Sequence, residues 1–175
     1  MAEALQITGW VAVRVGIGYV YLFALYKNTE NAAARQWLVE HTAYMFPSWS
    51  EPVRTRRAKV LAWIGMAMML VGGLSVLIGI EGRAGAGLLF GFTAIGIYQH
   101  KREREVAMAI AEKVLPQIPD SVKNDFATIQ WSAYSGHFSS ELKNWGLCGI
   151  CAAICCWGTG PAMITMSDKL PLLFR

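Results

Sequence analysis

Residues 60–100 are almost wholly apolar, interrupted once by Glu81-Gly82-Arg83. Residues 60–80 and 84–98 contain no charged side chain at all. The first run has 21 residues, which at helical rise span ~30 Å, the thickness of a bilayer's hydrocarbon core. The second run is shorter, but Gln99 and His100 can extend it to an interface. Cations fence both ends: Arg54, Arg56, Arg57 and Lys59 before, Lys101, Arg102 and Arg104 after. A three-residue turn between two such helices leaves no room for a soluble domain. The sequence therefore predicts an integral membrane protein.

The rest of the composition agrees. Of the 175 residues, 54% are hydrophobic and only 16% charged, too apolar for an ordinary soluble domain of this size. The formal charge of +4 is gathered at helix ends, so it reads as membrane anchoring and excludes nucleic acid as a partner. The first apolar segment lacks a basic leader region and a small-residue cleavage site, so it is expected to stay as a span. All four cysteines lie within one apolar stretch, which excludes an extracellular disulfide framework.

Taken in order, residues 1–175 form a single membrane domain with spans at about 6–26, 60–80, 84–100 and 142–166. The expected fold is an all-α, four-helix transmembrane bundle with interfacial amphipathic helices in the two long loops. In the first loop a helix over residues 32–45 is capped by Asn28 or Thr29. The third helix runs past the membrane to Leu115, where Pro116 and Pro119 end it. Asp120-Ser121 offers a new start, and Gly136 offers a stop. The two long loops carry twelve Lys and Arg against three (Arg83, Lys169, Arg175) on the other face. The positive-inside rule then puts the loops in the cytoplasm and both termini outside. Gly16 and Gly18, Gly72, Gly73 and Gly79, and the Gly87–Gly91 pair supply small surfaces for helix contact.

No catalytic motif is present, and no cofactor is predicted within the chain. Arg14 is the one charge deep inside a span, so it should face the bundle or a wet cavity and meet an acceptor. Glu81, Arg83 and Asp168 share its side of the membrane in the predicted topology. Together these four residues make a structural ion-pair site or a site for quinone or bound lipid, with Asp168 the expected partner of Arg14 and Glu81 the second choice. Cys148, Cys151 and Cys155 fall at i, i+3 and i+7, so they share a helix face with Cys156 displaced. Helix packing explains that face; copper is the metal that soft thiolates there would take. His41, His100 and His137 are read as solvated interface residues. A bis-histidine haem would need His100 and His137 on neighbouring helices.

Three stretches resemble the DoxX family of small four-helix membrane proteins. Val13-Arg14-Val15-Gly16-Ile17-Gly18 through Tyr26-Lys27 is similar to that family's opening helix. Gly72-Gly73-Leu74 through Gly79-Ile80-Glu81-Gly82-Arg83-Ala84-Gly85 is similar to its glycine-rich second helix and Arg-containing turn. Gly158-Thr159-Gly160-Pro161 through Ser167-Asp168 is similar to its closing motif, although Ala162 and Met163 depart from it. The resemblance implies a bacterial or archaeal inner membrane, cytoplasmic or intracytoplasmic. It also implies a role as an accessory subunit beside other integral membrane subunits of a respiratory, quinone-linked or monooxygenase complex. The alternatives are a quinone-interacting oxidoreductase built on Arg14 and its carboxylates, and a small-solute or lipid-binding membrane protein.

Overall fold

The computed structural model describes residues 2–158, with side chains from residue 7 onward. Five helices make up the described part: α1 (Ala2–Thr29), α2 (Ala32–Ala43), α3 (Glu51–Ile78), α4 (Gly82–Val114) and α5 (Lys123–Trp157). No strand occurs among the described residues. Two helical segments, Ile7–Thr29 and Glu51–Ile78, are long and apolar enough to cross a membrane by length and composition. In α4 and α5 an apolar half is followed or preceded by a charged or polar one, so neither is uniformly hydrophobic.

Helix ends fall where local chemistry places them. Asn31, rather than Asn28 or Thr29, caps α2: its side-chain oxygen accepts from the Ala34 N–H at 2.8 Å. The earlier candidates are absorbed into α1, which runs on to Thr29, whose hydroxyl donates back to the Leu25 carbonyl at 2.8 Å. Pro52 sits in the first turn of α3, where a missing N–H costs nothing. Gly79 ends that helix at φ 83, a left-handed value suited to glycine, and donates its N–H to the Ser75 carbonyl. Glu81 then turns the chain at φ 49 into α4.

Two expectations fail in the second long loop. It holds no separate interfacial helix; α4 continues to Val114, and two short 3-10 turns, Leu115–Gln117 and Asp120–Val122, lead into α5. Gly136 does not stop α5, which is unbroken through Trp157. A mid-helix glycine costs roughly 1 kcal/mol relative to alanine, which the long α4–α5 interface outweighs. The terminal part of the 142–166 span lies outside the described residues from 159 onward.

Helix α3 packs between α1 and α4, α4 packs most extensively along α5, and α2 lies on α3. The core joins Ile17 and Tyr21 of α1, Met66, Met69 and Val76 of α3, Ala86 and Leu89 of α4, and Cys151 and Ile154 of α5. Close approach uses particular glycines. A Cβ on Gly18 would stand 2.7 Å from Leu77 Cβ, and one on Gly72 would stand 2.8 Å from the Gly85 carbonyl oxygen. Gly16 meets nothing within 4 Å, and a Cβ on Gly87 or Gly91 would make only ordinary contact, at 3.9 Å from Cys155 Sγ and 3.4 Å from Met68 Cε. The tightest approaches therefore fall not on the GxxxG pair but on Gly18, between α1 and α3, and on Gly72 and Gly85, between α3 and α4.

Candidate functional site

The polar residues of the interior gather at two levels. At the first, Arg14 is 2% exposed, on the face of α1 that also buries Ile17, Gly18 and Tyr21. The arginine is thus buried, as expected. Its expected partner Asp168 lies outside the described residues. Arg83 stands at the other end of the turn from Glu81 and folds over the end of α5: a Cβ on Gly158 would lie 3.5 Å from its Nε. A guanidinium there faces the helix terminus whose free carbonyls carry partial negative charge.

The cysteine face is where the spacing placed it, turned toward α4. Cys155 Sγ donates to the Arg83 carbonyl at 3.5 Å and Cys148 Sγ to the Phe90 carbonyl at 3.9 Å. Between them Cys151 meets the Tyr21 hydroxyl at 3.7 Å. The three thiols each have their own partner, two on α4 and one on α1, and do not converge as a metal-binding group.

Tyr21 links three helices. The Thr93 hydroxyl donates to its own helix at the Leu89 carbonyl, 2.6 Å away, so the Tyr21 hydroxyl must be the donor to Thr93 Oγ1. Its oxygen remains free to accept from the Cys151 thiol. This order predicts an asymmetry. Tyr21→Phe leaves Thr93 satisfied and should cost about 1 kcal/mol, whereas Thr93→Val strands a buried hydroxyl and should cost about 1–3 kcal/mol. Thermal unfolding in detergent would compare the two; equal losses would contradict the donor order.

The second level is built by residues that the sequence reading left in solvent. His100 and His137 are about a quarter exposed and their ring centroids lie 5.8 Å apart, so α4 and α5 do bring them together. Between them sits Glu103, whose side chain is 3% exposed. Its Oε2 is 2.9 Å from His100 Nδ1 and 3.0 Å from His137 Nδ1, while its Oε1 accepts from Gln99 Nε2 at 3.0 Å. Both rings turn Nδ1 onto one carboxylate oxygen rather than across an open slot, which leaves no place for a haem between them. Burial favours the protonated carboxyl of Glu103, but hydrogen bonds from His100 and Gln99 and the fields of both imidazoles outweigh it. The group is held below the usual carboxylate range.

Arg104 secures the same crossing. It pairs with Glu141 at 3.2 Å, and its guanidinium lies 5.4 Å from the ring centres of both Tyr134 and Phe138. Tyr134, His137, Phe138 and Glu141 follow i, i+3, i+4, i+7 along α5, so one face of that helix supplies all four partners. His41 is elsewhere, packed at a tilt against the Trp37 ring and bonded to the Trp37 carbonyl.

An apolar groove of about 520 Å³ runs between α2, α3 and α4. Leu38, Met45, Met66, Met69 and Phe92 line its body, and Tyr98 and Gln99 stand at one end. Gln99 therefore touches both the groove and Glu103. No family model matches this chain, nor does any curated protein or solved structure.

Proposed function

We propose that the chain is a DoxX-like accessory subunit of a membrane oxidoreductase complex, anchored by four spans in a bacterial or archaeal inner membrane. In this reading the apolar parts of α1, α3, α4 and α5 cross the bilayer. The α4–α5 hairpin and α2 lie on the cytoplasmic side, and both termini lie outside. The observation that carries it is the outward face of those helices. Val15, Phe23, Trp63, Val71, Phe90 and Ile150 are all at least 40% exposed. So large an apolar exterior is suited to lipid and to neighbouring membrane subunits, and unsuited to water. Purification of the untagged chain in mild detergent should bring down a larger assembly containing other membrane proteins. A chain that always runs alone removes the subunit reading.

The groove favours a second reading, in which the chain itself binds a quinone. A ring seated beside Tyr98 and Gln99 would meet the polar end of an otherwise apolar groove, where the Gln99 side chain is also bonded to the Glu103 carboxylate. Ala94 lines the groove, so Ala94→Trp should fill it. Binding of a short-chain quinone, followed by equilibrium dialysis, is expected to fall at least tenfold in that variant. Binding unchanged by the tryptophan rules the groove out, and binding of phospholipid alone favours a lipid site.

A further inference from the structure

We infer that His100, Glu103 and His137 bind a divalent first-row transition-metal ion of the zinc or iron(II) class at the α4–α5 crossing. This inference does not rest on the reading of the chain as a complex subunit. One ligand atom from each of the three residues lies within 4.8 Å of the other two. Two imidazoles and one carboxylate are the donor set that these ions take with a position left open for water or substrate.

The local geometry is that of a site ready to accept an ion. With bonds of about 2.0–2.1 Å, a tetrahedral zinc holds its ligands about 3.3 Å apart. The Nδ1–Oε2 separations here, 2.9 and 3.0 Å, are within a few tenths of an ångström of that spacing, and the ligand atoms of the two histidines lie within 4.8 Å of one another. Each Nδ1 now points its proton at Glu103. On binding, that proton moves to Nε2 or leaves to solvent, and the Nδ1 lone pair goes to the metal. Glu103 keeps one oxygen on Gln99, which fixes the carboxylate plane and leaves Oε2 for the ion.

Charge and access also fit. The neighbouring cations Arg102 and Arg104 are each engaged with a different carboxylate, Glu105 and Glu141, and do not compete for Glu103. The histidines are 24% and 26% exposed, which gives an aqueous ion a route in. The carboxylate is 3% exposed, so the ion would be held on the inner side of the pair. The ligands come from two helices, and the metal would tie α4 to α5 well beyond the core cluster.

The test uses the full chain in detergent, without a histidine tag, stripped with a chelator and then titrated with zinc by calorimetry and with cobalt(II) by visible absorption. One zinc per chain and a cobalt ligand-field spectrum are expected. His100→Asn and His137→Asn keep an amide N–H near the position of Nδ1, so the hydrogen bond to Glu103 survives while a ligand is lost. Each should weaken zinc at least a hundredfold and abolish the cobalt spectrum, with helical circular dichroism unchanged. His41→Asn should match the parent. Absence of a one-to-one site in the folded parent chain overturns the assignment. So does zinc affinity in the two asparagine variants equal to the parent's. If both variants unfold, X-ray absorption of the zinc-loaded parent decides: two imidazole and one or more oxygen ligands support the site, and sulfur or oxygen-only ligation overturns it.

Discussion

Gly72→Val is expected to unseat α3 from α4 and to cost about 3 kcal/mol or more, the upper part of the range for overpacking. The added Cβ would meet the Gly85 carbonyl oxygen and the Leu89 side chain, each at 2.8 Å. Leu89 is itself fully buried and cannot swing away, and a backbone carbonyl cannot move without its helix. Gly85 presents the reciprocal surface, with its own Cβ position directed against Ser75 and the Gly72 carbonyl. Relief would require the two helices to part, which would open the core around Met69 and Val76. Gly16→Val is the control, since nothing lies within 4 Å of that position. Thermal or denaturant unfolding in detergent should show a large loss for the first variant and almost none for the second. Equal effects would mean that α3 and α4 do not meet at these glycines.

The second large effect is expected from Glu103→Ala in the metal-free protein. It removes the acceptor shared by His100, His137 and Gln99 and leaves a buried hollow between α4 and α5. Hydrogen bonds to a charged group contribute about 1.5–3 kcal/mol each, but the two imidazoles are partly exposed and regain some water. A net loss of about 2–3 kcal/mol follows. Glu103→Gln keeps a carbonyl oxygen and the side-chain volume, and should lose about half as much. Hydrogen exchange should locate the loss: amides of α4 and α5 flanking residues 103 and 137 would exchange faster, while those of α1 stay protected. Uniform acceleration along the chain would show that Glu103 does not act at this crossing.

The helical class, the length of α4 and the register of the cysteine face could all be read from the sequence, because each follows from local periodicity. So could the burial of Arg14, since a charge in the middle of an apolar helix has few other places to go. The second long loop is less legible. Gly136 has the propensity of a terminator, and the continuous face Tyr134, His137, Phe138, Glu141 has meaning only once its partner helix is known. Glu103 was hidden for the same reason. Surrounded by Lys101, Arg102, Arg104 and Glu105 in sequence, it resembles one more solvated charge, and only the packing of α5 turns it inward. A signal was nevertheless present: His100 and Glu103 at i, i+3, and His137 and Glu141 at i, i+4, on two helices joined by a short connection. Sequence alone does not rank the glycines, because which of them lets two backbones touch depends on helix rotation.

The unbroken run of α4 and α5 has a mechanical consequence. Glu103 and the last residue of α4, Val114, are joined by continuous helix about 17 Å long. Two such rods, cross-braced by Arg104 and Glu141, bend much less readily than a loop would. A neighbouring protein that grips the tip near Pro116 and Pro119 would therefore tilt the hairpin as one lever. Its fulcrum is the crossing that holds the two histidines, and its short arm ends at Gln99 on the wall of the groove.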